Sequence, residues 1–113
     1  MVSGATVLFL LACTADPGGS GDSAAVDDCA DVEVSWNNWG FAFFSNYCRS
    51  CHSVDAPDRY GAPAGVDFDS IVDVRTWAER IRITVLDDES MPIGGGVPDL
   101  ELERLDQLLS CGL

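Results

Sequence analysis

Cys48, Cys51 and His52 stand in a C-x-x-C-H run, Cys48-Arg49-Ser50-Cys51-His52. Two thiols three positions apart at a helix end can reach vinyl groups on adjacent pyrroles of a haem and become thioethers. The histidine beside the second thiol is then aimed at the iron from the same side. A cysteine pair at this spacing also suits a redox dithiol or a zinc site. The dithiol reading would need a βαβ surround, which the hydropathy pattern lacks, and more often carries Gly-Pro or similar between the cysteines. The zinc reading needs a fourth ligand, and with His52 the one histidine it would have to recruit Cys29 or Cys111. Haem attachment is the leading expectation, with the other two kept beside it.

An iron held by His52 keeps a second axial position. No further histidine and no lysine exist to fill it, and beyond the first residues Met91 is the sole methionine. A soft thioether suits haem iron and, as axial partner to histidine, raises the reduction potential. The alternatives are that Met91 fills a gap in the core, as methionines commonly do, or that the iron stays five-coordinate and binds a gas.

These residues need elements to position them. Trp36, Trp39, Phe43, Phe44 and Tyr47 recur at helical spacing, which predicts a helix over 35–47 with one apolar face. Ser70 followed by Asp73 reads as a capping box opening a helix to about residue 86, with Ile71, Val74, Trp77, Ala78, Ile81 and Val85 on one side. Asp99 is expected to cap a last helix with Leu102, Leu105 and Leu109 as its stripe, ended by Gly112. Nothing alternates at period two over a strand's length, so the fold class is all-α.

From about Ser35 to the end the chain resembles the class I cytochromes c. In that family the first helix crosses the last at a glycine, an aromatic follows four residues on, and the first haem cysteine four beyond. Gly40, Phe44 and Cys48 fall at those intervals. Close approach explains a glycine that otherwise costs a helix interior roughly 1 kcal/mol against alanine. Ser90-Met91-Pro92-Ile93-Gly94-Gly95-Gly96 is similar to the Met-Pro, glycine-rich ligand loop of small bacterial members. The resemblance implies three to four helices around one covalently bound haem c, with His52 and Met91 as iron ligands. It also implies a hydrogen bond from the ligand histidine to a carbonyl in a proline loop about a dozen residues downstream. Pro63, in Arg59-Tyr60-Gly61-Ala62-Pro63, is the best match, although the family usually reads Gly-Pro and here Ala62 intervenes. Trp77 could offer its indole N–H to a haem propionate, and Arg59 or Arg80 a guanidinium; plain packing and solvent exposure are their ordinary alternatives. Because the family packs its first and last helices together, the resemblance further implies a disulfide between Cys29 and Cys111, against two free thiols. The implied function is single-electron transport without catalytic residues. A haem gas binder or sensor is the alternative, and a peroxidase-like enzyme ranks last for want of a second histidine.

The apolar run from Val7 to Ala12 is too short to span a bilayer. It reads as the core of a secretion signal. Leu10-Leu11-Ala12-Cys13 resembles the lipobox of bacterial lipoproteins, in which the thiol carries diacylglycerol, although no Lys or Arg precedes the run. Residues 14–28 hold one large apolar side chain, Val26, and cannot bury enough surface to fold. As a coil they reach about 20–23 Å. The expected organisation is a signal at 1–12, a tether at 13–28 and a cytochrome c domain at 29–113, exported and lipid-anchored on the periplasmic side of a bacterial membrane or at the cell surface. Thr14 after Cys13 leans toward the outer membrane by analogy with enteric lipoprotein sorting. The net charge is −13, from 19 acidic residues against six arginines. That repels phosphate backbones, excluding nucleic acid, and suits a monomer with a basic redox partner.

Overall fold

Ser35 starts the first helix. Its hydroxyl accepts from the Asn38 N–H at 3.3 Å, and the Asn38 side chain accepts from the Ser35 N–H at 2.8 Å, a reciprocal capping box. The computed structural model describes residues 29–113; the signal, the lipid-bearing Cys13 and the tether expected over 1–28 lie outside the described residues. Helix α1 opens with a π-helical turn, Trp36–Gly40, and continues as α-helix through Phe41–Tyr47. Helix α2 is α-helical over Ile71–Ile81 and runs on as π-helix over Arg82–Asp87. Ser70 and Asp73 cap it reciprocally, with Asp73 N–H on the Ser70 hydroxyl at 3.2 Å and Ser70 N–H on the Asp73 carboxylate at 3.0 Å. Helix α3 comprises Asp99–Gln107 and a π-helical end, Leu108–Gly112. Its cap position belongs to Pro98, in an extended conformation, so Asp99 is the first helical residue and not the expected cap. Asp99 contributes there as a negative charge near the positive end of the helix. Among the described residues there is no strand, and no helix is long and apolar enough to cross a membrane. The described domain is all-α.

The apolar faces meet in a core of Phe43, Phe44, Phe68, Val74, Ile81, Val85, Leu105 and Leu108. Fully burying one such side chain is worth about 1.5–3 kcal/mol. Gly40 marks the crossing of α1 with α3: a Cβ there would lie 3.0 Å from Leu108 Cδ2 and 3.1 Å from Trp36 Cε3. The Trp39 indole donates to Glu101 at 3.1 Å across the same contact. Arg82 binds Asp106 and the Ser110 hydroxyl, tying α2 to α3. A disulfide joins Cys29 to Cys111 with their Cα atoms 5.5 Å apart, anchoring the start of the domain to the end of α3. Helix α3 is thus a support behind α1 and α2, and the C-x-x-C-H turn and the Met91 loop emerge on another side.

Candidate cofactor-binding site

The turn after α1 carries the three motif residues together. Cys48 N–H still bonds the Phe44 carbonyl at 2.9 Å, and the Cys48 carbonyl receives the N–H groups of Cys51 at 3.2 Å and His52 at 2.9 Å. One carboxylate clasps this turn from both ends. Asp69 accepts from Arg49 Nε at 2.9 Å before the second cysteine, and from the Ser53 hydroxyl at 2.6 Å and Val54 N–H at 2.9 Å after the histidine. Burial pushes the Asp69 carboxyl up, but the bonds from Ser53, Val54 and Arg49 and the charge of Arg49 outweigh it and hold the group below its ordinary value.

His52 is held in one orientation and one tautomer. Its Nδ1 lies 2.8 Å from the Val66 carbonyl. A carbonyl only accepts, so Nδ1 carries the proton and Nε2 of the neutral ring keeps a free lone pair, the form a metal binds. The Phe68 ring packs on the imidazole with centroids 4.9 Å apart, and Phe68 N–H bonds the His52 carbonyl at 2.9 Å. The acceptor is Val66 and not Pro63, whose carbonyl instead receives Arg59 Nη2 at 2.7 Å. Pro63 instead helps line the cavity in front of the ring.

That cavity measures about 440 Å³, within the range of pockets that hold organic ligands. Cys48, Cys51, His52 and Met91 all line it, among Phe43, Phe44, Phe68, Trp77, Ile81 and Val85. Burial pushes the Cys48 thiol up to about 12. It is therefore a protonated thiol at neutral pH, the opposite of the lowered thiol of a reactive dithiol. Cys29 and Cys111 are spent on each other, so neither completes a zinc site. The donor set and the apolar lining fit a haem: two thiols beside each other, an imidazole with Nε2 free, and a thioether on the same cavity.

Met91 is 37% exposed, so it does not serve as a core filler. Its N–H and the Ser90 hydroxyl both bond the Thr84 carbonyl, at 3.0 and 3.3 Å. Gly94, Gly95 and Gly96 follow with φ of 85°, 69° and 90°, a left-handed run that only glycine adopts without strain.

Arg59 lines the cavity and is only partly exposed, with five contacts to its guanidinium from the surrounding loop. Nε donates to the Ala62 carbonyl at 3.2 Å, and Nη1 to the Ser53 carbonyl at 2.8 Å and Asp67 at 2.6 Å. Nη2 reaches the Pro63 and Val66 carbonyls at 2.7 and 3.2 Å. Arg80, on the cavity wall and exposed, pairs with no carboxylate among the described residues. Trp77 also lines the cavity, and no described residue accepts from its indole N–H. Val66, Asp67, Phe68 and Asp69 escaped the sequence reading. Their one signal is two acidic residues flanking a buried phenylalanine, too short a pattern to stand out. No protein-family model, curated protein or solved structure matches the chain, so the chemistry of the site rests on its own residues.

Proposed function

We propose that this chain is a single-haem cytochrome of the class I c type that carries electrons and catalyses no reaction. The observation that supports it most is the His52 ring, fixed by Val66 with Nε2 free, in a turn whose two thiols share an apolar cavity with Met91. A haem c held there would supply a one-electron ferric–ferrous couple. Cys48 and Cys51 would hold it covalently, and His52 Nε2 and the Met91 sulfur would bind its iron. The phenylalanines and aliphatic residues keep water out and favour the less charged ferrous state. Arg80 and Trp77 supply polar partners for its carboxylates. Cys13 carries the lipid of an exported, membrane-tethered protein, and the acidic surface suits a basic redox partner. Produced with export and haem-attachment machinery, the protein should retain haem through denaturation and show sharp low-spin bands when reduced. Replacing Cys48 and Cys51 with alanine should abolish the retention of haem through denaturation. Apoprotein mass alone from properly matured wild type overturns the reading.

The exposure of Met91 favours a second reading, a haem whose methionine gives way to a gas. Tight, rapid carbon monoxide binding by reduced wild-type protein would select it.

A further inference from the structure

We propose that Arg59 is a positioning residue for His52, tuning the ligand histidine through a carbonyl the two side chains share; this rests on the haem reading above. The Val66 oxygen accepts from His52 Nδ1 at 2.8 Å and from Arg59 Nη2 at 3.2 Å. A carbonyl has two lone pairs, so both donors are accommodated, but they draw on the same electron density. The Arg59 bond is the longer of the two, but its donor is charged and so still draws on that density. Val66 therefore pulls less on the Nδ1 proton than an unshared carbonyl would. A ring whose Nδ1–H is held less strongly is a poorer electron donor at Nε2. A poorer donor stabilises ferric iron less, so Arg59 raises the potential.

Asp67 opposes this effect. It pairs with Arg59 Nη1 at 2.6 Å, and the two side chains are 24% and 12% exposed, so little solvent screens them. Its carboxylate damps the charge that Arg59 brings to Val66. Because all five donor contacts are made within the loop from Ser53 to Asp67, the guanidinium cannot swing away from the shared oxygen. The pair acts as a fixed setting on the histidine, with Arg59 pushing the potential up and Asp67 limiting the push.

The two substitutions should move the holoprotein in opposite directions. Arg59→Gln should lower the potential by the equivalent of about a tenfold shift toward ferric, about 59 mV for one electron. Asp67→Asn, which leaves the guanidinium on Val66 uncompensated, should raise it. In ferrous protein the His52 Nδ1–H resonance should move downfield in the first variant and upfield in the second. Arg82→Gln, which breaks the ion pair between α2 and α3, should lower stability and move neither readout. Shifts of the same sign, no shift, or a potential change without movement of the N–H resonance would each overturn the proposal. If Arg59→Gln does not fold, the sign of the Asp67→Asn shifts decides alone. Absence of covalent haem from wild-type protein would show before any substitution, and would mark failure of the haem reading instead.

Discussion

Gly40→Ala sets two known effects against each other. Removing a glycine from a helix interior stabilises by about 1 kcal/mol. The new methyl would sit 3.0 Å from Leu108 Cδ2 and 3.1 Å from Trp36 Cε3, against roughly 3.5–4.0 Å for comfortable carbon contact. Neither neighbour gives way easily. Leu108 is fully buried, and Trp36 packs on Phe41 and Phe44 with ring centroids 6.0 and 5.8 Å away. Overpacking of this kind costs about 1–3 kcal/mol, so two contacts place the steric cost near 2 and the net effect near 1 kcal/mol destabilising. The Leu108 share can be isolated. Leu108→Ala by itself should cost about 2–5 kcal/mol. In that background the clash with Leu108 is gone, only Trp36 opposes the helix gain, and Gly40→Ala should be close to neutral. The cycle should therefore show a coupling of about 1 kcal/mol, well above the few tenths expected of independent sites. Urea unfolding of the four proteins at equal m-value measures it. If Gly40→Ala stabilises by the full helix increment, or has the same effect with and without Leu108, the close crossing of α1 and α3 is wrong.

Cys29→Ser opens a disulfide with a sequence separation of 82 and should cost about 4–5 kcal/mol; a wild-type protein whose unfolding midpoint is indifferent to reductant would refute this. Asp69 titrates below its unfolded value of about 3.9, so its stabilisation is complete above that pH and is lost as pH falls through the lower folded value. Asp69→Asn should therefore weaken the protein at neutral pH by about 1–3 kcal/mol and flatten the loss of stability below pH 4, and an unchanged acid slope would count against the clasp. Met91→Ala should abolish the long-wavelength charge-transfer band of a methionine–iron bond, lower the potential and admit carbon monoxide, whereas Met91→His should lower the potential while keeping the iron closed; wild-type protein lacking that band refutes Met91 ligation.

What could be read in the sequence was local. The C-x-x-C-H spacing, the Ser70–Asp73 box and the apolar face of α1 each lie within a few turns of one helix, where backbone geometry converts spacing into position. Gly40 was legible through the family resemblance, which puts a glycine where the first and last helices cross, and its cost in a helix interior gave that expectation a physical reason. Val66, Asp69 and the role of Arg59 were not legible, for one physical reason. Each depends on the course of the irregular segment from Ser53 to Ser70, in which a side chain meets a backbone carbonyl or N–H set by turns and not by any period. The family resemblance drew attention to Pro63, yet every residue offers a carbonyl, so residue type cannot say which one faces the imidazole. The π-helical ends of α2 and α3 were invisible likewise, since a single extra residue per turn barely disturbs an apolar stripe.

The two sides of the cavity are built to different standards, and the difference bears on function. His52 is fixed by the Val66 carbonyl, the Phe68 ring and the Asp69 clasp, so on the haem reading little reorganisation would remain there when a bound iron changed charge. Met91 rests on one carbonyl, that of Thr84, at the head of a glycine-rich loop, and is partly exposed. Every 1.4 kcal/mol in the balance between a closed and an open loop is a factor of ten in the fraction of iron available to an outside ligand. A carrier needs that balance far on the closed side, because an iron that exchanges its ligand must reorganise at each electron transfer. A gas binder needs it only modestly so. On the haem reading, the balance between the two proposed functions would therefore be set by residues 84–96, which form the loop. Stiffening that loop should deepen carrier behaviour, and loosening it should convert the same His52 side into a ligand-binding haem.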